Sequence, residues 1–225
     1  MEIYEAIKNR HSVRSYLDKS IPDDIISQIS DEITECNRES GLHIQLVTDE
    51  PEAFGGFMAH YGKFSGVRNY IALIGRKTAD LDEKIGYYGE RIAVKAQQLG
   101  LNTCWVAMAF SRKKSRCIVD KGEKLVCVLS LGYGETQGID HKSKPMEQLC
   151  AVSEKMPDWF RKGMESAMLA PTAMNQQKFL FSLDGEKVTV KSTGGFYSKV
   201  DLGIVQYHFE VGSGRKIFGA VIQKK

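Results

Sequence analysis

Arg10-His11-Ser12-Val13-Arg14-Ser15-Tyr16 places two guanidiniums and two serine hydroxyls within seven residues. Arginine's planar fork suits a phosphate dianion, and hydroxyls can donate to the remaining oxygens. A solvated basic turn after a short first helix (Ile3, Ala6, Ile7) would use the same residues. A second candidate is Leu169-Ala170-Pro171-Thr172-Ala173-Met174-Asn175-Gln176-Gln177. Asn175 offers both a donor and an acceptor at a bend, which matches a ligand hydroxyl or phosphate oxygen and equally an Asx turn. Gly100 to Phe110 carries a strand into a turn, with Trp105 read as core. Leu131-Gly132-Tyr133-Gly134-Glu135 precedes the basic His141-Lys142-Ser143-Lys144-Pro145. Its Gly132-x-Gly134 pair is no dinucleotide fingerprint, because the next glycine is Gly138 and no helix pattern follows.

Other chemistries find little support. His11 lies in the arginine motif, where its backbone matters more than its ring. His43, His60, His141 and His208 are scattered without metal-ligand spacing, and no metal site is expected. No G-x-S-x-G elbow supports a serine nucleophile, and no catalytic side chain is assigned. The five cysteines (Cys36, Cys104, Cys117, Cys127, Cys150) are odd in number and lack a C-x-x-C, so a reducing cytoplasm fits better than a disulfide framework. The net charge of +3, with basic residues spread out, argues against nucleic acid. The Met-Glu-Ile-Tyr-Glu start does not read as a secretory signal, and no apolar run approaches a membrane span.

The elements that must position these residues follow from periodicity. Asp23 and Asp24 after Pro22, with Ile25, Ile29 and Ile33, predict a helix. His43–Thr48 and Tyr70–Gly75 read as strands, the second buried on both faces. Leu81, Ile85, Tyr88, Ile92, Ala96 and Leu99 mark a long helix stopped at Gly100. Strands are expected at Asn102–Val106 and Lys124–Leu131, with a short basic helix capped by Ser111 between them. A helix from Pro157 ends before Pro171, and Asp184-Gly185 joins Phe179–Leu183 to Lys187–Lys191 as a hairpin. Val200, Ile204, Tyr207 and Val211 form another helix, stopped near Gly212 or Gly214, and Lys216–Gln223 closes as a strand. Hairpins mixed with long helices predict α+β. Each half runs helix, two strands, long helix, glycine, which suggests degenerate copies at 1–150 and 151–225 within one compact unit.

The arginine motif resembles the N-terminal R-x-S-x-R signature of nitroreductase-family flavoproteins. Residues 169–177 are similar to that family's A-P-S-x-x-N-x-Q-P-W stretch, with Lys178-Phe179 in place of Pro-Trp. Residues 100–110 look like G-L-G-T-C-W-I-G-G-F, with Ala107-Met108 replacing the Gly-Gly pair. If that turn needs positive φ, both replacements are strained. Residues 131–149 resemble the LGYP…R-K-x-R-P-L-E-E-L end. The resemblance implies a nitroreductase-like fold of antiparallel-rich mixed sheets packed with helices, and an FMN cofactor. By the same resemblance, Arg10, His11, Ser12 and Arg14 hold its phosphate together with Lys142 and Lys144. Ala107 and Met108 bring backbone N–H groups to the flavin edge, and Pro171, Thr172, Ala173 and Asn175 lie beside it.

In that family the asparagine stretch comes early in the chain and reaches the flavin from the partner subunit of a symmetric dimer. Here the early slot, Thr34–Gly41, lacks the Pro-Ser pair. A chain with one motif in each half would imitate the dimer by itself, as a monomer with one FMN per chain. The implied activity is transfer of hydride from NADH or NADPH to a small-molecule electron acceptor such as a nitroaromatic or quinone. The residues leave two other readings open: a non-enzymatic flavin or phosphometabolite binder, and a basic interaction module with its arginines exposed.

Overall fold

The computed structural model describes residues 1–152 and 155–219. Helix α1 (Ile3–Asn9) buries Ala6 and Ile7, and the chain leaves it in extended conformation at Arg10. Helix α2 (Asp23–Ser40) begins after Pro22 with two acids in its first turn, which favour the positive end of the helix dipole. It ends where Gly41 turns left-handed. Strand β1 (Gln45–Val47), the five-residue helix α3 (Phe57–Tyr61) and strand β2 (Asn69–Arg76) follow. Helix α4 (Leu81–Gln98), β3 (Asn102–Val106) and β4 (Glu123–Gly132) complete the first half. The second half holds β5 (Cys150–Val152), α5 (Asp158–Ala167), β6 (Phe179–Asp184), β7 (Lys187–Ser192) and α6 (Ser198–Ser213).

β1-β2-β4-β3 form an antiparallel four-stranded sheet, while β5-β6-β7 form a second sheet in which β5 pairs parallel to β6. This is the expected α+β architecture, and β2 is buried on both faces. Its Ile71 and Leu73 pack with α4 and α6 in the larger core. Its Tyr70, Ala72 and Ile74 join Val13, Tyr16, Phe54 and Phe64 in a smaller core on the other face. Alternation of side chains across a strand makes both cores from one sequence run.

α6 packs against both α4 and α5. The α4–α6 crossing depends on two glycines. A Cβ at Gly86 would lie 2.0 Å from the Val200 carbonyl oxygen, and one at Gly203 would lie 2.0 Å from that of Glu83. Backbone faces backbone there, so no side chain can yield.

Two expected elements differ. No helix follows Ser111; its carbonyl accepts from Lys114 and Ser115 in a single turn. A segment this short gains little from helix propagation, and Arg112 instead reaches the carbonyls of Leu125, Val126 and Ala107. Residues 216–219 are not a strand. The N–H groups of Ile217 and Phe218 both donate to the Glu210 carboxylate at 2.6 Å, folding this segment back on α6. The rest of the expected strand, 220–223, lies outside the described residues.

Candidate active site

β3 is an edge strand of the larger sheet, and a cavity of about 610 Å³ lies along it. That volume is within the range of small-molecule and cofactor sites. One wall comes from the first half: Ser12, Arg14 and the run Cys104–Ala109. The other comes from the second half: Pro171, Thr172, Ala173 and Met174, then Phe196 and Tyr197 ahead of α6. The two widely separated motifs therefore face one space.

Local pairing explains how each segment arrives there. Ser12 bridges Thr103 in parallel fashion, with the Val13 N–H on the Thr103 carbonyl at 3.1 Å. The Leu17 N–H donates to the Tyr133 carbonyl, and that of Glu135 to Ser15. The arginine motif is thus laced between the edge of β3 and the LGYGE segment. Gly138 completes the contact at φ +77, where a Cβ would lie 2.6 Å from that of His11.

The bend at 172–177 is held from three sides. Met174, Asn175 and Gln177 all have left-handed backbones, at φ +52, +52 and +46, a conformation that costs free energy unless the surroundings enforce it. Enforcement comes first from α6, where Asp201 accepts from the Ala173 N–H at 2.9 Å and from Gln176 Nε2 at 2.7 Å. It comes also from the basic loop, where Lys144 Nζ donates to the carbonyls of Gln176 (2.8 Å) and Gln177 (3.0 Å). Asn175 Nδ2 and Gln177 Nε2 both donate to the Lys142 carbonyl. Within the bend, the Gln177 N–H donates to Thr172 Oγ1 at 3.0 Å.

Of the residues singled out in sequence, Ser12, Arg14, Ala107, Met108, Pro171, Thr172 and Ala173 line the cavity. Lys142, Lys144 and Asn175 form the latch just described, and His11 lies 3.5 Å from Asp140. Arg10 is only 3% exposed, and its Nη1 has no hydrogen-bond partner among the described residues. Neither Ala107 nor Met108 has positive φ, so this turn accepts side chains without strain.

Several site residues carry no sequence signal strong enough to find them. Glu90, fully buried on α4, accepts from Trp105 Nε1 at 2.8 Å and lies 2.8 Å from His208 Nε2 and 3.1 Å from Arg10 Nε. Burial alone would raise its carboxyl, but Arg10, His208 and Trp105 together hold it below the usual carboxylate value. Asp201 shows the opposite, pushed up by burial despite its two donors. Burial also raises the Cys104 thiol, which is therefore no ready nucleophile. Arg112 ties the 107–110 turn to β4 through the Ala107, Leu125 and Val126 carbonyls.

The fold also gathers His43, Asp120 and Glu123, whose ligand atoms lie within 4.8 Å of one another. Their hydrogen bonds argue against a metal. Gln45 is oriented by the Ile118 N–H and carbonyl, so its Nε2 donates to His43 Nε2 at 3.1 Å. His43 Nδ1 then bears the proton and donates to Glu123 at 2.9 Å.

Ser12 and Arg14 supply polar donors to the cavity, and Phe64, Trp105, Val106 and Ile204 supply apolar walls. Residues 2–213 match the family model described as "Putative TM nitroreductase". A "putative nitroreductase" from Thermotoga maritima superposes with TM-score 0.68 at 25% identity, covering 94% of this chain and 83% of that one. Two others share the fold: a Desulfovibrio desulfuricans "putative nitroreductase in complex with FMN" (TM-score 0.54, 14% identity, 70% of this chain and 99% of that one), and a Parabacteroides distasonis "Putative NADH dehydrogenase/NAD(P)H nitroreductase" (0.52, 20%, 65% and 95%). No curated protein matches the sequence.

Proposed function

The chain belongs to the nitroreductase family matched over residues 2–213 and is an oxidoreductase, and from that premise we propose that it uses FMN and NADH or NADPH to reduce nitroaromatic or quinone-like acceptors in ping-pong fashion. The observation that carries this reading is the single cavity lined by the arginine motif, the β3 turn and the second-half bend together. Bound FMN would supply the hydride-accepting ring. Ser12, Arg14 and Arg10 serve its phosphate; Phe64, Trp105 and Ile204 exclude water from the ring. On the side away from β4, the β3 backbone beyond Thr103 pairs with no strand among the described residues and offers donors and acceptors to the ring's polar rim. No side chain need donate a proton in the hydride step, so none is assigned a catalytic role.

The reading includes a site closed by one chain, with the second half standing in for a partner subunit. The α4–α6 crossing supports it. Gly86 and Gly203 are each the sixth residue of their helix, and each meets the carbonyl three residues before the other glycine. Such reciprocity characterises a two-fold interface. The five free cysteines support a reducing compartment such as the cytoplasm. No helix among the described residues is long and apolar enough to cross a membrane.

The purified protein is expected to show oxidised flavin bands in its visible spectrum, and anaerobic NADH or NADPH should bleach them. Bands that persist with both nucleotides would contradict the proposal.

A further inference from the structure

The buried group behind the arginine motif has a charge that does not balance. Arg10 is 3% exposed, and Glu90 and His208 are fully buried. His208 Nδ1 lies 3.1 Å from the Ser166 carbonyl, which can only accept, so Nδ1 bears a proton. Its Nε2 lies 2.8 Å from Glu90 Oε1. Two bare lone pairs cannot meet at that distance, so a second proton sits between imidazole and carboxylate. Whichever of the two holds it, the pair is neutral, and Arg10 leaves the cluster with one positive charge in a medium that opposes it.

Among the described residues, the groups packed against the cluster do not cancel that charge. α5 contributes the Ser166 carbonyl, β3 the Trp105 N–H and the Cys104 thiol, and α6 the Tyr207 ring, 6.4 Å from His208. From the loop after β4, burial disfavours protonation of His141, against the Met168 carbonyl's pull, with Arg10, His11 and His208 adding to the disfavour. Arg10 Nε lies 3.1 Å from Glu90 Oε1, and Nη1 has no hydrogen-bond partner among the described residues.

We infer that the His208–Glu90 pair is a proton store coupled through Arg10 to the anion site of the cavity, so that a bound phosphate group retains the shared proton and its loss weakens phosphate binding. This rests on the cavity's polar end being an anion site, but it assigns a role to residues outside the cavity lining. The sign follows from linkage. If the anion raises the proton's affinity, binding takes up a proton wherever the empty site has lost it and the filled site has not. Affinity then falls about tenfold per pH unit through that window and is flat on either side.

The test uses the full chain, stripped of bound flavin. The ¹⁵N signals of His208 are followed against pH alone, with FMN, with riboflavin and with inorganic phosphate. FMN and phosphate are expected to move the deprotonation of His208 to higher pH, and riboflavin to leave it in place. FMN affinity should fall with pH in the wild type and lose that slope in His208→Gln. If the variant does not fold, the wild-type titration decides alone. A His208 titration unmoved by phosphate and FMN, although either is seen to bind, would overturn the inference. Binding of phosphate without FMN would sink the flavin reading while leaving the proton coupling standing if His208 responds.

Discussion

Arg14 and Ser12 are the cationic and hydroxyl donors on the cavity wall. A charge-assisted hydrogen bond to phosphate contributes about 1.5–3 kcal/mol, so Arg14→Ala should weaken FMN binding by roughly ten- to a hundredfold at about 1.4 kcal/mol per decade. Riboflavin binding should change little; an equal loss for both ligands would mean that Arg14 does not meet the phosphate. Glu90 gives a pH prediction. Its folded-state carboxyl lies below the ordinary value, so its stabilising contribution is present above the unfolded pKa of about 4.3 and is lost as pH falls through the lower folded value. Glu90→Gln is expected to lower Tm at neutral pH, and the gap to wild type should narrow on acidification below pH ~4. A gap that stays constant would place the stabilisation elsewhere. The arginine motif and the Pro171–Asn175 bend were legible because their residue types are unusual together. Glu90 and His208, 118 positions apart, were not: a lone glutamate among Gly89, Ile92 and Ala93 and a lone histidine in an apolar helix give no sign of each other until α4 and α6 cross.

Elements position the site through a few contacts. Lys144 Nζ, half-buried, satisfies two carbonyls of a bend with three left-handed residues. Lys144→Met removes both bonds and should cost about 1–3 kcal/mol in denaturant unfolding, with FMN affinity falling as the bend relaxes. Unchanged stability and affinity would show that Asp201 holds the bend unaided. Gly203→Ala pits a helix-propensity gain of about 1 kcal/mol against a Cβ placed 2.0 Å from the Glu83 carbonyl and 2.4 Å from the Tyr87 nitrogen. Overpacking costs about 1–3 kcal/mol, and with only backbone to yield we expect the upper end and a Tm several degrees lower. A Tm equal to or above wild type would contradict the close crossing. Most elements were legible from spacing and caps, because α4, α6, β2 and the 184–185 hairpin each follow one local period. The failures had non-local causes. Arg112 was drawn to β4 carbonyls in place of a helix turn, and the 216–219 segment was captured by Glu210. β5, three residues long, is defined only by its parallel pairing to β6.

At the scale of the molecule, a four-stranded sheet with β3 at its edge meets a second half that brings its own bend and helix to that edge. The α4–α6 crossing lets both halves face one cavity, and the buried Arg10–Glu90–His208 group spans the same junction. On the proposed reading, the asparagine bend occurs late in the sequence because the chain itself supplies the contribution a partner would make. The most direct test is the native mass spectrum of the purified protein. The smallest flavin-carrying species is expected to be one 25.2 kDa chain with a single FMN. If flavin appears only on two-chain species, the site is not closed by one polypeptide.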